Sequence, residues 1–161
     1  FWTHWAVGFE FEAVFHPSCW FSSEDVGGDD DRDDWLKLTG MTAFFSWNDH
    51  NAGMFAFRPT DAEGVMAVTG YTNDRKGNRT VGRKSILFKD VEVGQRFYGK
   101  GMLNATWPIT ADSIDYFLDT PAGTWSASHR FDMPFLPLYR QIGTYWGGFN
   151  NSPGPYGGAA P

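Results

Sequence analysis

Residues 5–15 read Trp5-Ala6-Val7-Gly8-Phe9-Glu10-Phe11-Glu12-Ala13-Val14-Phe15, and their alternation decides the fold class. Phe9, Phe11, Ala13 and Phe15 share one parity; Glu10, Glu12 and Val14 share the other. Successive side chains of an extended chain point to opposite faces, so a period of two predicts a strand with one buried and one wet face. His16-Pro17 stops it, because Pro has no N–H to give to a ladder.

Working outward, residues 22–34 form a polar Gly- and Asp-rich loop, and 33–40 are expected to make one short helical turn with acids at its positive end. Strand-like segments at 41–47 and 52–58 flank Asn48-Asp49-His50-Asn51, a connector that suits a hairpin because Asn and Asp tolerate left-handed backbone. Residues 65–71 read as a strand, 72–84 as a basic loop, and 85–89 and 95–98 as strands around a turn at Glu92-Val93-Gly94. Further strands are expected at 101–107, 113–118 and 124–131, ahead of a Gly/Pro/Asn-rich tail from Pro134. Roughly nine short strands with turn chemistry between them predict an all-β antiparallel sandwich, jelly-roll-like, in a single domain over 1–161.

Composition agrees. Aromatics make up 18% of 161 residues, with 19 Gly and 9 Pro, which favours strands and turns over a helical bundle. No run of about 18 apolar residues is present to cross a membrane as a helix. No secretory leader is visible, and with Phe1 first the chain is expected to be a fragment or to have lost one. Cys19 is the single cysteine, so neither an intramolecular disulfide nor a cysteine zinc cage is available.

Charge is segregated. Residues 24–34 hold seven acids against Arg32, a local −6, and residues 75–100 hold eight bases against Asp90 and Glu92, a local +6. Such a chain favours a complementary neighbour, such as another copy, while a pI near 5.0 speaks against nucleic acid.

Several constellations invite chemistry. Glu10 and Glu12, about 7 Å apart on one strand face, resemble a glycosidase or lyase pair, but position 14 is Val rather than a third acid, and a solvated outer face explains them as well. Asp49-His50 with Ser46 or Ser18 lacks a nucleophile elbow, and His4, His16 and His129 lack metal-ligand spacing. Asp25, Asp29 and Asp31 are candidate calcium ligands, although the EF-hand pattern fails at Asp34 and Gly40; a solvated acidic loop is the plainer reading. Sugar rings stack on aromatic faces, so Trp47, Trp125, Tyr145 and Trp146, with Trp20 and Trp107, are candidate glycan-binding residues beside loops. A small sandwich also needs large rings to fill its core.

Three stretches resemble the small concanavalin A-like (LamG-like) jelly-roll proteins of phages and Bacteroidetes. His16-Pro17-Ser18-Cys19 with Trp35-Leu36-Lys37-Leu38-Thr39-Gly40 is similar to an element ending in a Lys-Leu-x-Gly turn. Asp49-His50-Asn51-Ala52-Gly53-Met54-Phe55-Ala56-Phe57-Arg58 looks like the family's His-x-Asn-Ser-Ala-x-x-Gly-Trp-Arg hairpin, departing where Gly53 follows Ala52 directly. Tyr145-Trp146-Gly147-Gly148 with Pro153, Pro155 and Ala160-Pro161 is similar to a Tyr-Phe-Gly-Gly…Ala-Pro segment, with extra Gly and Pro. The likeness implies a last strand after the Ala-Pro, so the domain is expected to lack that strand or to have its edge filled by a partner chain. It implies no catalytic mechanism.

The expectation from sequence is therefore a noncatalytic structural or attachment sandwich on a virion or extracellular surface. Its expected partners are other subunits, in a homo-oligomer or among virion proteins, without nucleic acid or membrane. Calcium is the one candidate cofactor. A carbohydrate-binding module using loop aromatics is the first alternative, and a glycosidase or lyase using Glu10 and Glu12 the second.

Overall fold

The computed structural model describes residues 2–4, 8–22, 35–43, 52–76, 79–106, 110–135 and 138–142. They form ten strands: β1 (Trp2–His4), β2 (Gly8–Val14), β3 (Leu36–Ala43), β4 (Ala52–Pro59), β5 (Val65–Lys76), β6 (Arg79–Glu92), β7 (Arg96–Thr106), β8 (Thr110–Thr120), β9 (Gly123–Phe135) and β10 (Leu138–Ile142). One 3-10 turn, Pro17–Cys19, follows β2. All ladders are antiparallel, in a six-stranded sheet ordered β1-β10-β3-β4-β5-β6 and a four-stranded sheet ordered β2-β7-β8-β9. The two pack face to face as the expected all-β sandwich.

Over the described residues 8–15 the alternation behaves as read. Phe9, Phe11 and Ala13 lean on the core while Glu10, Glu12 and Val14 face water, Val14 being 50% exposed. Phe9 and Phe11 lie opposite Gly101 and Gly99 of β7 and cover them, so a Cβ at either glycine would run into a ring. From there the two rings reach Phe55 of β4, at 6.2 and 5.2 Å between centroids, both edge-on. Tyr116 of β8 completes the group at 5.4 Å from Phe55 and sits over Gly70, where an added Cβ would come within 2.6 Å of its ring. Large rings thus fill the space that glycines leave, on the neighbouring strand for Phe9 and Phe11 and across the sheets for Tyr116, as close packing demands. Phe15 extends the layer against Phe57 and Phe97.

The six-stranded sheet differs from its partner in being apolar on both sides along β4. Phe55 and Phe57 enter the main core, whereas Ala52, Met54 and Ala56 form a second buried cluster with Tyr71 and Trp35 on the opposite side. The continuous run Ala-Gly-Met-Phe-Ala-Phe is the signature of a strand buried on both faces.

Three local expectations are overturned. Residues 36–40 are strand rather than the end of a helical turn. Leu36 and Met41 are both in the main core, reached from an extended chain with a bulge between Lys37 and Thr39, and the ladder to β4 outweighs the local capping signal. The basic loop expected at 72–84 is instead the far part of a long hairpin, since β5 runs on to Lys76 and β6 starts at Arg79. Polar composition suggested a loop, whereas strand pairing sets the outcome. Likewise 95–98 and 101–107 are one strand, β7, because its two glycines are covered by β2 rather than breaking it. The turn before it is as expected: Gly94 takes a φ of +81° and the Gln95 N–H donates to the Glu92 carbonyl at 3.1 Å.

The Phe55 contact predicts unequal losses. Phe55→Ala should destabilise the fold by about 3–5 kcal/mol, while Phe117→Ala on the wet side of β8 should remove less than about 1 kcal/mol. Urea unfolding of both variants checks this.

Candidate functional site

The four-stranded sheet keeps its outer face open, and strand register assigns each side chain a place on it. Across one row stand Glu12, Tyr98, Asp119 and Thr124; across the next stand Glu10, Lys100, Phe117 and Ser126. Beyond these lie Asp115 with Ser128, and Ser113 with Arg130. The alternation that buries Ile114, Tyr116 and Leu118 turns Asp115, Phe117 and Asp119 outward.

Polar groups on this face hold one another. Arg96 donates through Nη1 to Glu12 Oε1 at 2.7 Å, an ion pair whose side chains are 70% and 56% exposed. The Tyr98 hydroxyl donates to Glu10 Oε2 at 2.8 Å. Asn104 donates through Nδ2 to Ser113 Oγ and Asp115 Oδ2, and Ser128 donates to the other oxygen of Asp115. Between them the Tyr98 and Phe117 rings meet edge to face at 6.3 Å, with Phe117 37% exposed. The Glu10 carboxylate accepts the phenol hydrogen and so pushes the Tyr98 hydroxyl above its ordinary range, with lesser contributions from desolvation and from the carboxylate charge.

Among the described residues, two shallow depressions interrupt the face. One, of about 280 Å³, is bounded by Glu12, Arg96, Tyr98, Asp119, Thr120 and Pro121 at the end nearest the β8–β9 turn. The other, of about 390 Å³, lies over Gly8, Phe9, Glu10, Lys100 and Met102. The Tyr98–Glu10 hydrogen bond passes between them.

The residues singled out from sequence fare differently. Glu10 and Glu12 do share the outer face, on an edge strand, each engaged by its own partner. Trp125 stands on the inner side of β9 against the core, with the Lys89 ammonium 4.9 Å from its ring centroid. Trp20 also packs on the core, and its indole N–H donates to the Thr60 carbonyl at 3.1 Å. Trp47, Trp107, Tyr145 and Trp146 lie outside the described residues, as do Ser46, Asp49, His50 and the candidate calcium ligands Asp25, Asp29 and Asp31. Among the described residues no group of three His, Cys, Asp or Glu side chains could hold a metal ion. His16 caps the 3-10 turn, its Nδ1 accepting from the Ser18 backbone N–H, and His129 is buried on β9 beside Phe131.

The aromatic pair of the open face was not among the candidates. Phe117 could have been found by parity, since it shares the polar side of its strand with Asp115 and Asp119. Tyr98 needed the register of β7 on β2. The basic region 75–100 is also not one surface: Lys89 covers Trp125, Arg96 pairs with Glu12, and Lys100 stands opposite Glu10.

No protein-family model matches the chain, and comparison with curated proteins and with solved structures finds no match.

The hydrogen bond across β2 and β7 has a measurable signature. Glu10→Gln should lower the Tyr98 pKa toward the ordinary tyrosine value of about 10, because the amide neither carries charge nor favours the protonated phenol as strongly. Tyrosine 13Cζ shifts followed by NMR across alkaline pH report it, and an unchanged titration would show the bond absent in solution.

Proposed function

We propose that this chain is a noncatalytic attachment sandwich that works through assembly contacts, on a virion or a cell surface, joining copies of itself or neighbouring subunits. The observation that carries the reading is the β5–β6 ribbon. Among the described residues the ladder of β4 on β5 ends at Ala52 opposite Asn73. β5 and β6 remain paired beyond it, through Asp74–Gly82, Arg75–Thr80 and Lys76–Arg79. A bulge between Asp74 and Arg75 falls just where the ribbon leaves β4 behind, and bulges bend and twist a strand pair.

Residues 74–84 carry Arg75, Lys76, Arg79, Arg83 and Lys84 against the single acid Asp74. A two-stranded ribbon has little stability of its own, so a partner of opposite charge would both bind and steady it. The segment 24–34, with its net −6, supplies that chemistry on every copy, although it lies outside the described residues. Segregated charge of this kind steers association and sets register more than it adds affinity. The likeness to phage and Bacteroidetes jelly-roll proteins belongs to the same reading.

Catalysis has less support. A glycosidase needs two carboxyl groups facing each other across the scissile bond. Glu10 and Glu12 instead follow one another along one strand, held by Tyr98 and Arg96.

Sedimentation velocity tests the assembly reading. Association is expected at about 50 mM salt and should weaken at least tenfold near 500 mM, where charges are screened within a few ångströms. Arg79→Glu with Arg83→Glu should abolish it, and adding Asp29→Lys with Asp31→Lys should restore it. A monomer at every salt concentration, or unchanged association of the ribbon variant, would remove the proposal.

A further inference from the structure

The geometry points to the outer face of the four-stranded sheet, centred on the groove between Arg96 and Asp119, as a binding site for a neutral oligosaccharide. This surface and ligand class are separate from the assembly contacts proposed above.

The argument starts from what the face offers. Pyranose rings present C–H faces to aromatic side chains and hydroxyls around their edges, so they suit a site with a flat ring flanked by planar hydrogen-bonding groups. Tyr98 and Phe117 supply the rings on the wet side of β7 and β8. Glu12, Arg96 and Asp119 supply carboxylates and a guanidinium around the 280 Å³ groove that Tyr98 lines. A sugar hydroxyl can donate to a carboxylate and accept from a guanidinium, and groups next to each other allow both at once.

Those groups are held before any ligand arrives. The Arg96–Glu12 ion pair uses Nη1 and Oε1, leaving the second carboxylate oxygen and further guanidinium N–H groups for a ligand. Tyr98 is fixed by its bond to Glu10. Side chains already ordered lose less entropy on binding, so the contacts cost less to make. Strand positions also hold these groups more rigidly than loop positions would.

Charge and shape narrow the ligand class. Among the described side chains Glu10, Glu12, Asp115 and Asp119 stand with Arg96, Lys100 and Arg130 on this face, so there acids outnumber bases and a polyanion is disfavoured. The groove is shallow and its ion pair stays more than half exposed, which suits a wet contact with a hydroxylated ligand rather than burial of an apolar one. Extent matters too. The second depression continues the face past Tyr98 toward Gly8, and Glu12 is four steps along the strand from Gly8, about 13 Å. That length suits a short chain of sugars rather than a single ring.

Affinity electrophoresis of the purified chain through gels containing soluble β-glucan, xylan or mannan, with polygalacturonate and heparin as anionic comparisons, tests the inference. Retardation by at least one neutral polysaccharide is expected. Tyr98→Ala and Phe117→Ala should each weaken it about tenfold, the scale of a central interface aromatic, whereas Tyr98→Phe, which keeps the ring, should stay within about threefold. Circular dichroism and urea midpoints establish that each variant is folded, and 1H–15N shift changes on adding the retarding glycan should fall on β2, β7 and β8. Absence of retardation by all the neutral polysaccharides would overturn the site. So would binding that survives the double Tyr98→Ala, Phe117→Ala variant, shift changes confined to other strands, or a preference for the anionic polymers.

Discussion

Everything in this sandwich depends on how Phe55 is met from the opposite sheet. Rings from β2 and β8 approach it edge-on, and they can do so because β7 presents glycines beneath Phe9 and Phe11 and β5 presents one beneath Tyr116. Edge-to-face geometry sets the positive rim of one ring against the negative face of the next, which adds orientation to a contact that burial alone would leave loose. Tyr116 has a second tie: its hydroxyl donates to the Tyr71 carbonyl at 3.0 Å, beside the bulge between Gly70 and Tyr71. A buried phenol therefore finds its acceptor where the ladder shifts.

From that packing follows the division of labour between the sheets. β4 is sealed on both sides, so the six-stranded sheet has little polar surface to offer along its centre. The four-stranded sheet has one buried and one open face, and the open one gathers the paired charges and the exposed rings. At the edge of the six-stranded sheet, among the described residues, β5 and β6 run past β4 and carry the cationic segment with them.

The fold class was legible because parity survives in single strands. Phe9 to Phe15 announce β2, and Ile114, Tyr116 and Leu118 announce β8, whatever their partners. Length and register were harder to read. Nothing local tells Thr72–Lys76 to remain extended; the ladder to β6 decides it. Leu36 to Gly40 follow Asp33 and Asp34, a helix-start signal that a bulged pairing with β4 overrides. The open face was half legible: Glu10 and Glu12 stood out by alternation, but their partners Tyr98 and Arg96 lie more than eighty residues away in the chain. Loop-flanking tryptophans drew attention by type, yet Trp20 and Trp125 turn out to pack inward, because an indole beside a turn can fold over the core rim as readily as it can face water.

The covered glycines of β7 also bear on how the chain reaches this state. The inner surface of β7 at Gly99 and Gly101 is furnished by phenylalanines from near the start of the sequence, so until β2 docks that strand has a furrow where a core should be. β7 and β8 can form a hairpin early from neighbouring sequence, whereas β2 must wait for a loop of more than eighty residues to close. Contacts of such long range slow folding, since the entropy of closure is lost before the contacts return it. During synthesis β2 would leave the ribosome well before β7 and β8 and still dock after they have paired.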